Sequence, residues 1–191
     1  MKVSAEAFRD LKVICITEEE NGLSEDTIAL TRSFIVRMVE HKVDACGSIF
    51  IWAELDTMPR KLWGIQRMLW KNLCLLVSPV EGMSAELQPY FAVEWPKTCQ
   101  YWTWKDVKKM LASRERPVIT SFVDGCAVGM IGADGALIHK RWRVDTDFEP
   151  LACALNSIRC TKDHVHSENF NLRETQHYPV ALCDKVLQSL K

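Results

Sequence analysis

Three short apolar runs separated by helix-like segments constrain the fold of this chain most. The runs read "LKVICIT" at residues 11–17, "SIFIW" at 48–52 and "FAVEW" at 91–95, and their β-branched and aromatic residues are typical of buried strands. Amphipathic segments, "EDTIALTRSFIVRMVEHK" and "PRKLWGIQRMLWKNL", follow the first two runs. Strands that alternate with helices predict an α/β protein with a Rossmann-like, largely parallel sheet and helices on both faces.

The second half of the chain continues this pattern and then changes. Thr103 and Asp106 form a capping-box-like start for a short helix that ends before Pro117. The glycine-bearing stretch "DGCAVGMIGADGA" predicts sharp turns, including a hairpin at "ADGA", between two β-rich runs. Two further helices are predicted in "DFEPLACALNSI" and in the C-terminal "PVALCDKVLQSLK". We therefore expect one Rossmann-like domain over residues 1–150, with a C-terminal loop and helix at 151–191 packed on it.

The composition is that of an ordinary globular protein. Apolar residues make up 48% of the chain, charged residues 26%, and the formal net charge is −1, so the overall charge does not indicate a nucleic-acid or membrane surface. The eight cysteines are scattered, as in a reducing compartment. Neither a signal-peptide pattern nor a membrane-length apolar run is evident, and the sequence predicts an intracellular protein, cytoplasmic or nuclear, without a membrane partner.

Glu94 is the first candidate functional residue. It closes the run "FAVEW" just before Pro96, which cannot continue a strand ladder. Ligands of open α/β sheets bind outside the carboxyl ends of the strands. Glu94 is therefore either a site residue or simply the first solvated residue after a strand.

A family resemblance favours the first interpretation of Glu94. The strand that closes on "EWP", the helix after it, and the pieces "VDGCAVGM" and "HKRWRV" resemble the second half of the DNA cytosine methyltransferase fold over about residues 47–145. More closely, they resemble the methyltransferase-like segments of retroelement polyproteins. The resemblance implies a catalytic Glu94 that pairs with the target base, Arg141 and Arg143 that hold DNA or RNA, and S-adenosylmethionine as the cofactor.

Two parts of that family's pattern do not occur in this chain. The Pro-Cys turn that presents the nucleophile has no counterpart, because no cysteine lies between Cys46 and Cys74. The Gly-rich cofactor turn after the first strand is reduced to Gly22. With these two departures, the resemblance implies a methyltransferase-like protein with impaired catalysis. The alternative is a zinc-stapled domain without catalysis, either structural or binding nucleic acid through Lys140, Arg141 and Arg143.

A histidine-bearing loop suggests the zinc site. "CTKDHVHSENFNLRETQHYPVALC" carries Cys160, His164, His166 and His177, with Cys183 further on. Zinc prefers four nitrogen or sulfur ligands, which this set could supply. The alternative is that the histidines are solvated loop residues and that Cys183 is a core residue of the last helix.

Overall fold

The computed structural model describes the backbone of residues 48–52 and residues 67, 70, 71, 74, 82, 84, 85, 88–168, 170, 175 and 178–189. The described residues form one four-stranded sheet and three continuous α-helices, and residues 67, 70, 71 and 74 are also helical. The strands are β1 (Ser48–Trp52), β2 (Tyr90–Pro96), β3 (Ile119–Asp124) and β4 (Arg141–Thr146). The α-helices are α1 (Lys105–Ala112), α2 (Glu149–Asn156) and α3 (Val180–Ser189), and two 3-10 helices lie at Gln100–Thr103 and Gly125–Val128.

The sheet is mixed, and the predicted largely parallel Rossmann-like sheet is wrong. The strand order is β1-β2-β4-β3. Only β1 and β2 pair in parallel, whereas β4 is antiparallel to both β2 and β3 among the described strands. The connection from β3 to β4 contains a 3-10 helix and a hairpin rather than a long crossover helix. The chain therefore returns in the opposite direction and inserts β4 beside β2.

Helices lie on both faces of this mixed sheet. On one face, Val107 and Met110 of α1 pack with Phe91, Val93 and Trp95 of β2. On the other face, residues of α2 and α3 pack against alternate residues of the strands. That second core contains Ala92, Val123, Trp142, Val144, Leu151, Leu155 and Leu182. β2 thus contributes side chains to both cores by simple alternation, whereas β3 and β4 contribute to the second core.

The predicted positions of the helices after residue 100 and of the hairpin are confirmed, unlike the predicted topology of the sheet. Helices are present at all three places predicted after residue 100, although α1 begins after Trp104 without a side-chain cap, so the predicted cap at Thr103 is wrong. The predicted hairpin is confirmed by the bridge between Ile131 and Leu137 and by Gly135, whose φ is 77°. The strand predicted at 11–17 and the helix predicted after it lie outside the described residues.

Candidate metal centre

The first element of the site is Cys126, which lies in the 3-10 helix that follows β3. The side chain is 5% exposed. The preceding residue, Gly125, donates its N–H to Lys140 O at 2.7 Å, and a Cβ at Gly125 would lie 3.1 Å from that same oxygen. The absence of a side chain at Gly125 therefore lets the end of β3 approach the chain entering β4, and this holds Cys126 at the end of the sheet.

The second element is the loop that begins at Cys160, directly after the turn that ends α2. The Cys160 N–H donates to Asp124 Oδ2 at 2.9 Å, which ties the loop to the end of β3. The Cys160 sulfur accepts a hydrogen bond from the Lys162 N–H, with a nitrogen–sulfur distance of 3.4 Å. Lys162 has a φ of 63°, and this left-handed residue turns the chain around the sulfur.

His164 and His166 both direct the Nε2 atom toward the Cys160 sulfur. The distances from Sγ to Nε2 are 3.8 Å for His164 and 3.4 Å for His166. His164 Nδ1 lies 2.8 Å from Asp163 Oδ1, the kind of carboxylate contact that commonly orients the ring of a metal-binding histidine. His166 is fixed by a bridge to Leu137, and the next residue, Ser167, donates its N–H to Leu137 O.

These four side chains could hold a metal ion. The sulfur atoms of Cys126 and Cys160 and the ring nitrogens of His164 and His166 all lie within 4.8 Å of one another. Tetrahedral zinc with bonds of about 2.3 Å to sulfur and about 2.05 Å to nitrogen separates a sulfur from a nitrogen ligand by about 3.6 Å. The two sulfur–nitrogen distances at Cys160, 3.4 and 3.8 Å, bracket that separation. A metal ion would require movements of only a few tenths of an ångström around this sulfur.

The surroundings set the protonation of the ligands. Burial, followed by the hydrogen bond with Cys160, raises the pKa of the Cys126 thiol to about 12. Burial, with the neighbouring rings of His139 and His164, lowers the pKa of His166 and favours the neutral imidazole that binds metals. A metal entering the site must therefore displace the proton from the Cys126 thiol but finds His166 in its ligating form.

Asp124 connects the cluster to the sheet. Its side chain is 1% exposed and accepts two hydrogen bonds from Arg141, through Nε and through Nη2 at 3.0 Å, besides the Cys160 N–H. Burial opposes the ionisation of Asp124, but these donors outweigh it and lower the pKa of the carboxyl. The His139 ring lies 3.5 Å from Asp124 and stacks on His166 with a centroid distance of 4.7 Å. Asp124 therefore contacts one ligand directly and a second through His139.

The sequence predicted part of this cluster. The structure brings Cys160, His164 and His166 together, whereas the fourth predicted ligand, His177, lies outside the described residues. Sequence reasoning missed Cys126, although the Asp-Gly-Cys turn at the end of a predicted strand was the available signal. Cys183 is half-buried on α3 and does not belong to the four-residue cluster.

The predicted catalytic residue, Glu94, lies away from the predicted phosphate-binding arginines. Glu94 is 3% exposed, pairs with Val144 in the sheet and accepts a hydrogen bond from the Tyr178 hydroxyl. Arg143 pairs with Trp95, one residue further along β2. Because neighbouring residues of a strand point to opposite faces, the sheet separates Glu94 from Arg143 and from Arg141. The predicted cleft shared by the acid and the two arginines is therefore wrong.

The predicted basic cluster forms contacts within the chain. Lys140 Nζ donates to Thr175 Oγ1 at 3.0 Å. Arg141 pairs with Asp124, and Arg143 pairs with Asp145 through two hydrogen bonds of 2.7 and 2.6 Å. The two arginine side chains remain 34% and 27% exposed.

Comparison with protein-family models, with curated proteins and with solved structures gives no match. Within the described part of the chain, none of the helices has the length and apolar character needed to cross a bilayer. The Cys/His cluster is therefore the feature of the described residues that indicates a function.

Proposed function

We propose that this chain is a zinc-binding domain in which Cys126, Cys160, His164 and His166 hold a structural zinc ion. The observation that carries this proposal is the convergence of two sulfur and two nitrogen atoms within 4.8 Å from segments 34 residues apart in sequence. Sulfur and imidazole ligands in equal number suit zinc, whereas calcium and magnesium prefer oxygen ligands.

The ligand count supports a structural role rather than a catalytic one. Catalytic zinc sites commonly use three protein ligands and leave a fourth position for water or substrate, whereas structural sites are closed by four. Cys126, which is 5% exposed, closes the inner side of this cluster. The loop supplies the other three ligands, so the four protein ligands occupy all the positions of a tetrahedral ion.

The loop also needs a tether that its own side chains do not provide. None of the residues from 160 to 166 is fully buried, and Val165 is 85% exposed. A segment that buries so little apolar surface gains little from hydrophobic packing. A metal bound to Cys126 and to three loop residues would hold the segment against the end of the sheet, with the binding energy contributing directly to folding.

The methyltransferase interpretation remains a prediction about Glu94. The described geometry gives it no added support, because Glu94 faces Tyr178 and lies across the sheet from the two arginines. A structural zinc domain needs neither a nucleophilic cysteine at the sheet edge nor a glycine-rich cofactor turn.

Metal analysis tests the proposal. The full chain, purified under reducing conditions and analysed by inductively coupled plasma mass spectrometry, is expected to carry about one zinc ion per chain. Cys160→Ser is expected to lose the zinc. Cys153→Ser is the matched control, because Cys153 is exposed on α2 and lies outside the cluster. Equal zinc content in both variants would contradict the proposed site.

A further inference from the structure

Arg141 and Arg143 form a fixed pair of guanidinium groups on one face of β4. They lie two residues apart on the same strand, which separates their backbones by about 7 Å and directs both side chains to the same face. Asp124 and Asp145, each 1% exposed, bind these guanidinium groups through the Nε and Nη2 atoms.

The remaining nitrogen of each guanidinium group is available to a ligand. Within the described residues, Nη1 of Arg141 and Nη1 of Arg143 make no hydrogen bond, and the two side chains are 34% and 27% exposed. The buried carboxylates thus orient the two guanidinium groups and leave one nitrogen of each without a hydrogen bond among the described residues. Orientation by a second partner lowers the entropy that a guanidinium loses when it binds an anion.

Two further cations border this pair. Lys97 Nζ and the Arg159 guanidinium lie 5.6 and 5.5 Å from the centre of the Phe122 ring, and Phe122 pairs with Arg143 across the sheet. Both cations are exposed, and the Lys97 N–H donates to Arg141 O at 3.0 Å. The four cations and the carboxylates of Asp124 and Asp145 leave an excess of two positive charges on this surface, which we call the arginine face.

We propose that the arginine face binds the phosphodiester backbone of single-stranded nucleic acid. The planar guanidinium groups match phosphate oxygens, and a strand of nucleic acid supplies several neighbouring phosphates to the four cations. The aromatic rings of this surface hold the cations rather than bases, since Arg143 lies 4.2 Å from the Trp102 ring centre, and Lys97 and Arg159 lie 5.6 and 5.5 Å from the Phe122 ring centre. Binding is therefore expected to depend little on base sequence. This inference does not depend on zinc being the bound metal.

Fluorescence polarisation with labelled single-stranded RNA and DNA of mixed sequence tests the inference on the full chain. Four phosphate contacts give a slope of about −2.8 for log K against log salt, because each contact on a single strand contributes about −0.7. RNA and DNA are expected to bind alike, since phosphate contacts do not read the 2′-hydroxyl. If neither the RNA probe nor the DNA probe shows salt-dependent binding, the inference is overturned.

A double variant at exposed positions distinguishes a loss of binding from a loss of folding. Lys97→Gln with Arg159→Gln removes two exposed cations and leaves both arginine–aspartate pairs intact. Each lost contact is worth a factor of about 5 at 0.1 M salt, so affinity should fall roughly 25-fold and the slope should become less steep by about 1.4. Lys108→Gln with Lys109→Gln removes the same charge from exposed positions of α1 and should change little. Equal losses in the two double variants would show that net charge, not the arginine face, drives binding.

Discussion

Replacing Asp124 by Asn should weaken metal binding far more than replacing Asp145 by Asn. The two carboxylates form a matched pair: each is 1% exposed, each binds the guanidinium of a β4 arginine through two hydrogen bonds, and the arginines lie two residues apart. They differ in one respect that matters to the metal. Asp124 also accepts the Cys160 N–H and lies 3.5 Å from His139, which stacks on His166.

The structural cost of the two substitutions should be similar. Each removes charged hydrogen bonds worth about 1.5–3 kcal/mol in a buried setting, and each cost is reduced because the arginine partner is about one-third exposed and can be solvated. The metal-related cost applies to Asp124→Asn alone. Changing an outer-shell partner of a metal ligand typically lowers metal affinity 10–100-fold, or about 1.4–2.7 kcal/mol.

Competition with a chromophoric zinc chelator would measure the two affinities at one pH, and far-ultraviolet circular dichroism would report the folded fraction of each variant. The visible absorption spectrum of the Co²⁺-loaded proteins would show whether the ligand geometry has changed at Asp124→Asn. We expect a 10–100-fold loss of zinc affinity for Asp124→Asn and less than a threefold loss for Asp145→Asn. Equal losses would refute the reasoning, since the effect would then come from the shared sheet rather than from the contact with Cys160.

Three further predictions concern the metal and the buried hydroxyl groups. Zinc at about 1,000 times its dissociation constant should stabilise the chain by about 4 kcal/mol in thermal unfolding, and Cys126→Ser should abolish this response; stabilisation of the variant to the same extent would count against the site. Burial raises the pKa of Tyr101 from 10.0 to about 12, so the folded chain retains this proton to a higher pH than the unfolded chain does. The free energy of unfolding should therefore fall as the pH rises from about 10 to about 12. Denaturant unfolding should show a smaller fall for Tyr101→Phe. Tyr178→Phe removes a hydrogen bond to the buried Glu94 carboxylate and should lower the free energy of unfolding by about 1.5–3 kcal/mol; a change below about 0.5 kcal/mol would show that this contact contributes little.

Strand and helix positions after residue 88 could be predicted because they depend on local pattern. Phe91, Val93 and Trp95 alternate with residues of the opposite face, and the sequence shows this period of two directly. The order of the strands is not local. β1, β2 and β3 run in the same direction, as alternation with helices predicts, but β4 lies between β2 and β3 in the opposite direction. That insertion follows from the short connection after β3, which the sequence shows only as a cluster of glycines.

The ligands of the candidate metal centre likewise include some that local sequence predicts and one that it does not. Cys160, His164 and His166 lie within seven residues, so their spacing alone suggests a shared ligand. Cys126 joins them only because β3 delivers it to the point where Asp124 binds the Cys160 N–H. A ligand 34 residues away in sequence carries no spacing signal, and its recognition requires the sheet.

Register explains why the predicted pairing of Glu94 with the two arginines failed while the residues themselves remained of interest. Glu94 pairs with Val144, and a shift of a single residue would have paired it with Arg143 and placed both on one face. The sequence shows that both segments alternate, but it does not show which residue of one strand lies opposite which residue of the other. In the native register the acid contacts Tyr178 on one face, and the guanidinium groups stand on the other face above Asp124 and Asp145. A second register, that of β3 against β4, aligns Asp124 with Arg141, and Asp124 is the residue that ties the sheet to the metal loop.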